Sequence, residues 1–455
     1  MEIDMTKGRP LPLILKFVIP LVIGNIFQQL YNMADTIIVG RFVGDKALAA
    51  VGSTGTVMFL VTGFAQGMTA GFSVLTAQRY GAGDSEGVKR SVGNGAILAL
   101  MVTIILTFIS VVMMDPLLRL MNTPEDIFQD AYTYISLICW GLCGTILYNL
   151  VSSYLRAVGN SKVPLYFLIM SAVLNVVLDL VLIINFHMGV AGAAVATVIS
   201  QLVSGIVCVI YIYKAVPMLR PERRHYAFHK GDSKYQIAMG LPMALQFSIT
   251  ACGTMVMQSA INLFGSTAVA AFTAANKLQN LLTQGMVAMG QMSATYAGQN
   301  CGKGDYGRIR QGVKASIKID VIYSILASIF LTVALPYGIR LFFAGDITEL
   351  MPYARTYVNI SVIFYIPLSF IFVFRNFMQG CGFGFLPMMG GVVELAARFV
   401  VAQIAIALHS FVLACACDPA AWVAACVFTG VSYCFVMKKL DRRKEAYLRT
   451  KQEQA

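Results

Sequence analysis

Charge is the scarcest ingredient of this sequence. Only 12% of its 455 residues are Asp, Glu, Lys or Arg and 58% are hydrophobic, whereas about a quarter of a soluble domain is charged; the composition is that of an integral membrane protein. Histidine is rarer still, four in all, and no HExxH, GxSxG or paired His/Asp pattern is present, which argues against a membrane-embedded enzyme. The ten cysteines include no CxxC pair and no Cys/His cluster with metal-ligand spacing. Cys139, Cys143, Cys208, Cys252, Cys415 and Cys417 lie in apolar runs and read as small core residues. There is also little room for a soluble domain: at roughly 20 residues per span, the chain holds about a dozen helices and short loops. The N-terminal stretch MEIDMTKGRPLPLILKF lacks a small-residue cleavage site, so its apolar run reads as a retained span.

The net charge of +12 is explained by where the bases sit. They gather in alternate loops: Lys7, Arg9 and Lys16; Arg79, Lys89 and Arg90; Arg156 and Lys162; Arg220 to Lys234; Lys303 to Lys318; and Lys438 to Lys444. The positive-inside rule makes this set cytoplasmic, puts both termini inside and requires an even number of spans. A basic loop at a membrane face already has a cause, and a nucleic-acid partner is not expected. The expected setting is the bacterial cytoplasmic (inner) membrane, crossed many times.

Twelve spans are expected, near 14–40, 48–78, 92–114, 131–156, 163–186, 190–213, 236–263, 268–297, 316–337, 356–380, 387–409 and 411–437. The longest polar connection, Lys214 to Lys234, divides the chain into an N-terminal lobe, 1–219, and a C-terminal lobe, 220–455. The lobes repeat. FVGDKALAAVG (42–52) aligns with LFGSTAVAAFT (263–273), and GAGD (81–84) with GKGD (302–305), both at an offset of 221 residues. RAVGNSKVP (156–164) meets QGCGFGFLP (379–387), and Pro20 pairs with Pro242. Six spans per copy is an even number, so the copies share one orientation, the arrangement of alternating-access transporters. The fold class expected is therefore all-α, twelve transmembrane helices in two pseudo-symmetric six-helix bundles. Pro20 and Pro242 are candidate hinges, and a static kink that improves packing would use the same residues.

Few acids lie inside the spans: Asp35, Asp179 and Glu394, with Asp320 near enough to the cytoplasmic face to snorkel. Intramembrane carboxylates are costly and default to functional candidates. Asp179 follows Asn175 by four residues, on one helix face. Asp35, Asp179 and Thr197 come to similar depth, with Asn149 a turn or two deeper. Together they would supply oxygen donors for a sodium ion at Asp35, Asp179 and Asn175, or a carboxylate relay for a proton. Taken singly, Asn149 and Thr197 read as helix-bridging groups. The repeat places Val256 or Met257 opposite Asp35 and Ala402 opposite Asp179, so the acids belong to one copy only. In the C-terminal half, Glu394 and Arg398 form an i,i+4 pair that reads as structural. Lys277 either snorkels, pairs with Glu394 or sets charge in a cleft. Gln258, Met257, Met286 and Met289 suit an adaptable substrate pocket or ordinary core packing. His187 and His409 fall at span ends.

Pro20, DTIIVGRFVGDKALAAVG from Asp35, the two glycine-aspartate loops, RAVGNSKVP, NVVLD and ELAAR, in this order and with the repeat, resemble the multidrug and toxic compound extrusion (MATE) family over essentially the whole chain, most closely its bacterial DNA-damage-inducible-type branch. The resemblance implies export of cationic, amphipathic compounds against entry of sodium or protons, with no cofactor and a monomer expected. It assigns cation binding to Asp35, Asn175, Asp179, Asn149 and Thr197, and adds Tyr134. The acid that some branches carry in the seventh helix has no counterpart; Gln258 is the nearest polar residue. The alternative is a flippase for lipid-linked precursors, which would favour a cationic cleft and extra helices.

Overall fold

The structure, a computed structural model, describes residues 3–121, 123–343 and 347–453. Its described residues form sixteen α-helices and no strand, as expected where lipid offers backbone groups no partner. The first eight are α1 (Pro10–Phe42), α2 (Asp45–Ser53), α3 (Gly55–Ala82), α4 (Ser85–Leu120), α5 (Glu125–Trp140), α6 (Leu142–Ala157), α7 (Lys162–Leu180) and α8 (Gly189–Ala215). The rest are α9 (Lys230–Asn262), α10 (Gly265–Lys303), α11 (Tyr306–Phe342), α12 (Leu350–Ile363), α13 (Tyr365–Gly380), α14 (Phe385–Ala407), α15 (Phe411–Cys415) and α16 (Cys417–Glu453). Nine helices among the described residues are long and apolar enough to cross a membrane. The count is eleven when α5–α6, bent by 48°, and α12–α13, bent by 51°, each make one span. The twelfth is α10, long enough at 39 residues but too polar to stand out, with Asn276, Lys277, Gln279, Asn280 and Gln284 in its middle.

Packing divides the chain into two compact units. The first contains the chain up to Asp4 and Ile19–Ser248; the second contains Met5–Val18 and the chain from Ile249 onward. This departs from a cut at residue 219, because the first part of α1 goes with the second unit and the first half of α9 with the first. In the first unit α3 lies against α4 and α6, and α8 against α5, α6 and α7, around a core that includes Phe72, Leu142 and Tyr154. In the second, α10 lies against α11 and α13, and α14 against α16, around Phe272, Tyr357, Tyr365 and Trp422. Ile104, Phe108, Phe330, Leu341 and Val431 are exposed; large apolar side chains turned outward belong against hydrocarbon.

The repeat is carried by backbone conformation as much as by letters. Gly83 and Gly304 close α3 and α10 in the left-handed region, φ 76° and 75°, where a glycine ends a helix without strain. The aspartates that follow cap the next helices: Asp84 accepts from Gly87 N at 2.8 Å and Asp305 from Arg308 N at 3.0 Å. Even the two span-end histidines match, His187 and His409 both having positive φ.

The connection between the halves is docked on the first unit. Leu219 is buried, Arg224 and His225 reach Glu86 at 3.0 Å, and Lys89 donates to Glu222 at 3.2 Å. Lys89, with Arg224 beside it, holds the Glu222 carboxyl below its usual range. The start of α9 is anchored by Asp232, which accepts from Arg79 at 2.9 and 2.5 Å and from Arg90 at 3.0 Å.

Further along, α9 meets α3 backbone to backbone. A Cβ on Gly67 would sit 2.5 Å from Ala244 Cα, and one on Gly71 would overlap Gly240. Small residues four apart are how membrane helices approach closely. Gly67→Leu is expected to lower stability by about 1–3 kcal/mol or more, measured as thermal unfolding in detergent. Gly52→Ala, where a Cβ meets nothing within 4 Å, serves as the neutral control.

Candidate functional site

Asp179 occupies the last turn of α7, and directly after it the helix widens into a π-helical segment, Val181–Asn185, with Phe186 N bonded to Val181 O at 3.2 Å. Such widened turns are frequent at functional sites. Asp35 is 7% and Asp179 0% exposed, and the two carboxyls are close enough to interact directly. Tyr134 on α5 points its hydroxyl at Asp35 Oδ2, at the outer limit of a hydrogen bond, 3.5 Å. The Asn175 amide is oriented by its neighbours: its nitrogen donates to Asp179 Oδ2 at 3.0 Å and its oxygen lies 3.3 Å from Thr197 Oγ1 and 3.2 Å from Thr197 N. Each carboxyl keeps one sealed oxygen, Oδ1, without a hydrogen-bond partner.

Four helices, α1, α5, α7 and α8, thus bring Asp35, Tyr134, Asn175, Asp179 and Thr197 to one place. Two oxygens without partners and a hydroxyl fit the hard donors that sodium prefers. The same two carboxyls fit a site that shares one proton between like charges.

Asn149 stands apart. Its amide donates to Thr145 O at 2.9 Å, and it lines a cavity of about 120 Å³ in the first unit with Tyr31, Asn32, Gln66, Tyr148 and Gln201. Among the described residues, no charged side chain lines this space. Tyr31 and Thr197 belong to both places: they line the cavity, and the Tyr31 hydroxyl lies 3.4 Å from Thr197 Oγ1. Tyr31 was not singled out from sequence, although it precedes Asp35 by four residues on the same helix face.

The residues considered for a substrate cleft are dispersed. Met257 and Met286 are buried in the core of the second unit. Gln258 donates to Asn262 on its own helix at 2.8 Å. Lys277 does not pair with Glu394; it is exposed and lies over the Phe342 ring, 5.8 Å from its centroid. Pro20 and Pro242 sit inside α1 and α9, each removing one helix hydrogen bond.

Glu394 and Arg398 are more than a local pair. Arg375 donates to Glu394 Oε2 at 3.1 Å, Arg398 to Glu394 Oε1 at 2.8 Å and to Asp418 Oδ1 at 2.7 Å. All four are buried and together neutral. The sequence reading missed Arg375 and Asp418, although both stand as charges inside apolar spans, in FVFRNF and CACDPAAW. Gly253 on α9 leaves the space for Arg398, whose Nη1 would lie 2.5 Å from a Cβ there.

A model of the MatE family matches residues 20–181 and 242–404, most of each half of the repeat. The chain belongs to the MatE family. Its fold agrees with that of solved MATE transporters: "Crystal structure of MATE in the bent conformation" superposes with TM-score 0.88 at 22% identity, covering 97% of this chain and 98% of the other. A MOP superfamily transporter from Pyrococcus furiosus superposes with TM-score 0.91 at 23% identity, covering 97% and 98%. Among curated relatives, "Probable multidrug resistance protein YpnP" of Bacillus subtilis is 29% identical over 83% of this chain and 84% of its own length. "DNA damage-inducible protein F" of Escherichia coli is 29% identical over 44% of each. Members of the MatE family are transporters, so this protein is a membrane transporter and not an enzyme.

The charge network gives a direct check on its role. Removing one partner of a buried ion pair costs about 3–5 kcal/mol, so Arg398→Met is expected to lower the unfolding temperature sharply. Lys277→Met, at an exposed site, should change stability by no more than about 0.5 kcal/mol. Replacing Arg375 and Glu394 together by Met should cost less than removing Glu394 alone, since no charge is then left unpaired beside an empty partner.

Proposed function

We propose that this MatE protein is a secondary active exporter of amphipathic organic cations, working by alternating access and driven by sodium or proton entry through Asp35 and Asp179. The observation that carries the reading is the pair itself: two buried carboxyls facing each other, each with an oxygen lacking a partner. Two negative charges so close and so dry cannot both persist. The site therefore binds either a metal cation across the carboxyls, aided by Thr197, or a proton on one of them. Tyr134 and Asn175 hold the carboxyls in place with hydroxyl and amide donors. Pro20, fifteen residues before Asp35 on α1, is the proposed hinge through which occupancy changes the course of the helix, with Pro242 in the matching place on α9.

The cavity beside the pair supports the substrate class. Its lining combines the aromatic rings of Tyr31 and Tyr148 with the neutral amides of Asn32, Asn149 and Gln201. Aromatic faces attract organic cations, and no lysine or arginine is present to repel them. That absence disfavours the lipid-linked-precursor flippase, whose pyrophosphate needs positive charge. The protein is placed in the bacterial cytoplasmic membrane as a monomer, with the basic connections and both termini inside.

Asp35→Asn is expected to reduce gradient-driven efflux of a fluorescent organic cation from membrane vesicles to the level of empty vesicles, with Asp179→Asn close behind. Undiminished transport by Asp35→Asn would remove that residue from the mechanism. An imposed sodium gradient at fixed pH, in liposomes containing only the purified protein, separates the two ions. Efflux that follows it identifies sodium, and efflux that follows only a pH gradient identifies the proton.

A further inference from the structure

The second unit contains a carboxyl that neither the acid pair nor the charge network uses. Asp320 lies on α11, and the sequence placed it close enough to the cytoplasmic face to snorkel. It does not reach out: it is 1% exposed. Its Oδ2 is sealed and has no hydrogen-bond partner, and no ion pair reaches it among the described residues.

The surroundings are polar but uncharged. Ser316, Asp320 and Ser324, spaced four apart, are all buried on one face of α11. The next in that row, Ser328, donates to Val362 O at 3.0 Å, and Ser324 donates to Tyr365 O at 3.4 Å. This row therefore runs along the bent span α12–α13, on both sides of its 51° break at Phe364. Along this row and the span it faces, Ser316 Oγ on α11, Ser361 Oγ on α12 and the Tyr365 hydroxyl on α13 are also buried without hydrogen-bond partners. A seam with so many incomplete polar atoms is unusual in a folded protein, and each such case calls for a cause.

No charge on the neighbouring helices compensates Asp320. On its own helix, Tyr323 donates its hydroxyl to Leu282 O at 2.5 Å. On α13, Arg375 donates to Glu394 through Nη2; its Nε has no hydrogen-bond partner and it makes no ion pair with Asp320 among the described residues, while Tyr365 is a neutral phenol. On α10, Lys303 reaches Thr6 at 3.3 Å and Lys277 lies over Phe342. On α12, Tyr357 receives the Asn276 amide at 3.3 Å. On α16, Asp418 is held by Arg398. A carboxylate buried without a partner is far less favourable than its neutral acid.

We propose that Asp320 is a proton-binding site of the second unit, separate from Asp35 and Asp179, whose occupancy holds the seam between α11 and α12–α13 closed. The proton sits on the carboxyl and leaves only to water, so the site ionises when the seam opens. The closed seam binds the proton and the open one releases it; low pH favours closure and high pH favours opening.

The test does not depend on transport, so it can fail while the coupling role of Asp35 and Asp179 stands, and the reverse. Infrared spectra of the reconstituted full-length Asp35→Asn/Asp179→Asn protein are recorded across the neutral range. A protonated-carboxyl C=O band is expected at neutral pH, to be lost when Asp320→Asn is added and displaced by Asp320→Glu. Hydrogen exchange at the α11–α13 backbone should rise with pH, after correction for intrinsic exchange, in the parent but not in the Asp320→Asn protein. Absence of the band in the parent, or its persistence unchanged in the Asp320→Asn protein, overturns the proposal. If the Asn variant does not fold, the displacement of the band in the Glu variant decides: a shift supports the site and an unchanged band overturns it.

Discussion

A negative charge kept from water must be met by a donor, a cation or a proton, and this requirement organises the molecule. Wherever the chain carries an acid into an apolar span, the structure shows one of a few answers. Glu394 and Asp418 are answered by Arg375 and Arg398. Asp232 at the start of α9 is answered by Arg79 and Arg90. Asp35 and Asp179 are answered only in part, by Tyr134 and Asn175. Glu394 has an arginine on each oxygen, whereas Asp35, Asp179 and Asp320 each keep a buried oxygen with no partner.

The two halves of the chain share a frame and divide the chemistry. The turns are duplicated down to backbone angle, as the capping aspartates Asp84 and Asp305 show. The interiors differ. One unit holds a pair of acids beside an uncharged cavity; the other holds a closed, neutral set of four charges. A repeated scaffold fixes helix count and loop geometry, while a few interior residues decide how each copy disposes its charges.

Much of this was legible in the letters. The turn glycines meet a backbone need that no other residue meets as well, and aspartate is among the few residues favoured as helix N-caps, so the repeat could be read without coordinates. Asp35, Asn175 and Asp179 stood out because a charge or an amide in an apolar run is conspicuous, and helical spacing put the last two on one face. Other features lay beyond reach. That Asn149 turns to Thr145 and lines the cavity depends on rotamers. That Lys277 leaves Glu394 to two arginines depends on which helices adjoin. That Met5–Val18 goes with the second unit, and that the division falls within α9 after Ser248, is a packing result, invisible to a reading that cuts at polar linkers. Arg375 and Asp418 were legible as lone charges in apolar runs, but neither has an opposite charge three or four residues away on its own helix to suggest a partner.

The place of Thr197 has a thermodynamic consequence. Its hydroxyl has a single hydrogen to give. While that hydrogen goes to the Asn175 oxygen, the Asn175 nitrogen stays turned toward Asp179, and Tyr31 supplies the donor on the other side. A solute in the cavity that drew the Thr197 hydrogen to itself would leave the Asn175 oxygen with the Thr197 backbone N–H alone and loosen the amide's hold on Asp179. By reciprocity of binding free energies, whatever tightened that amide on Asp179 would weaken the solute by the same factor.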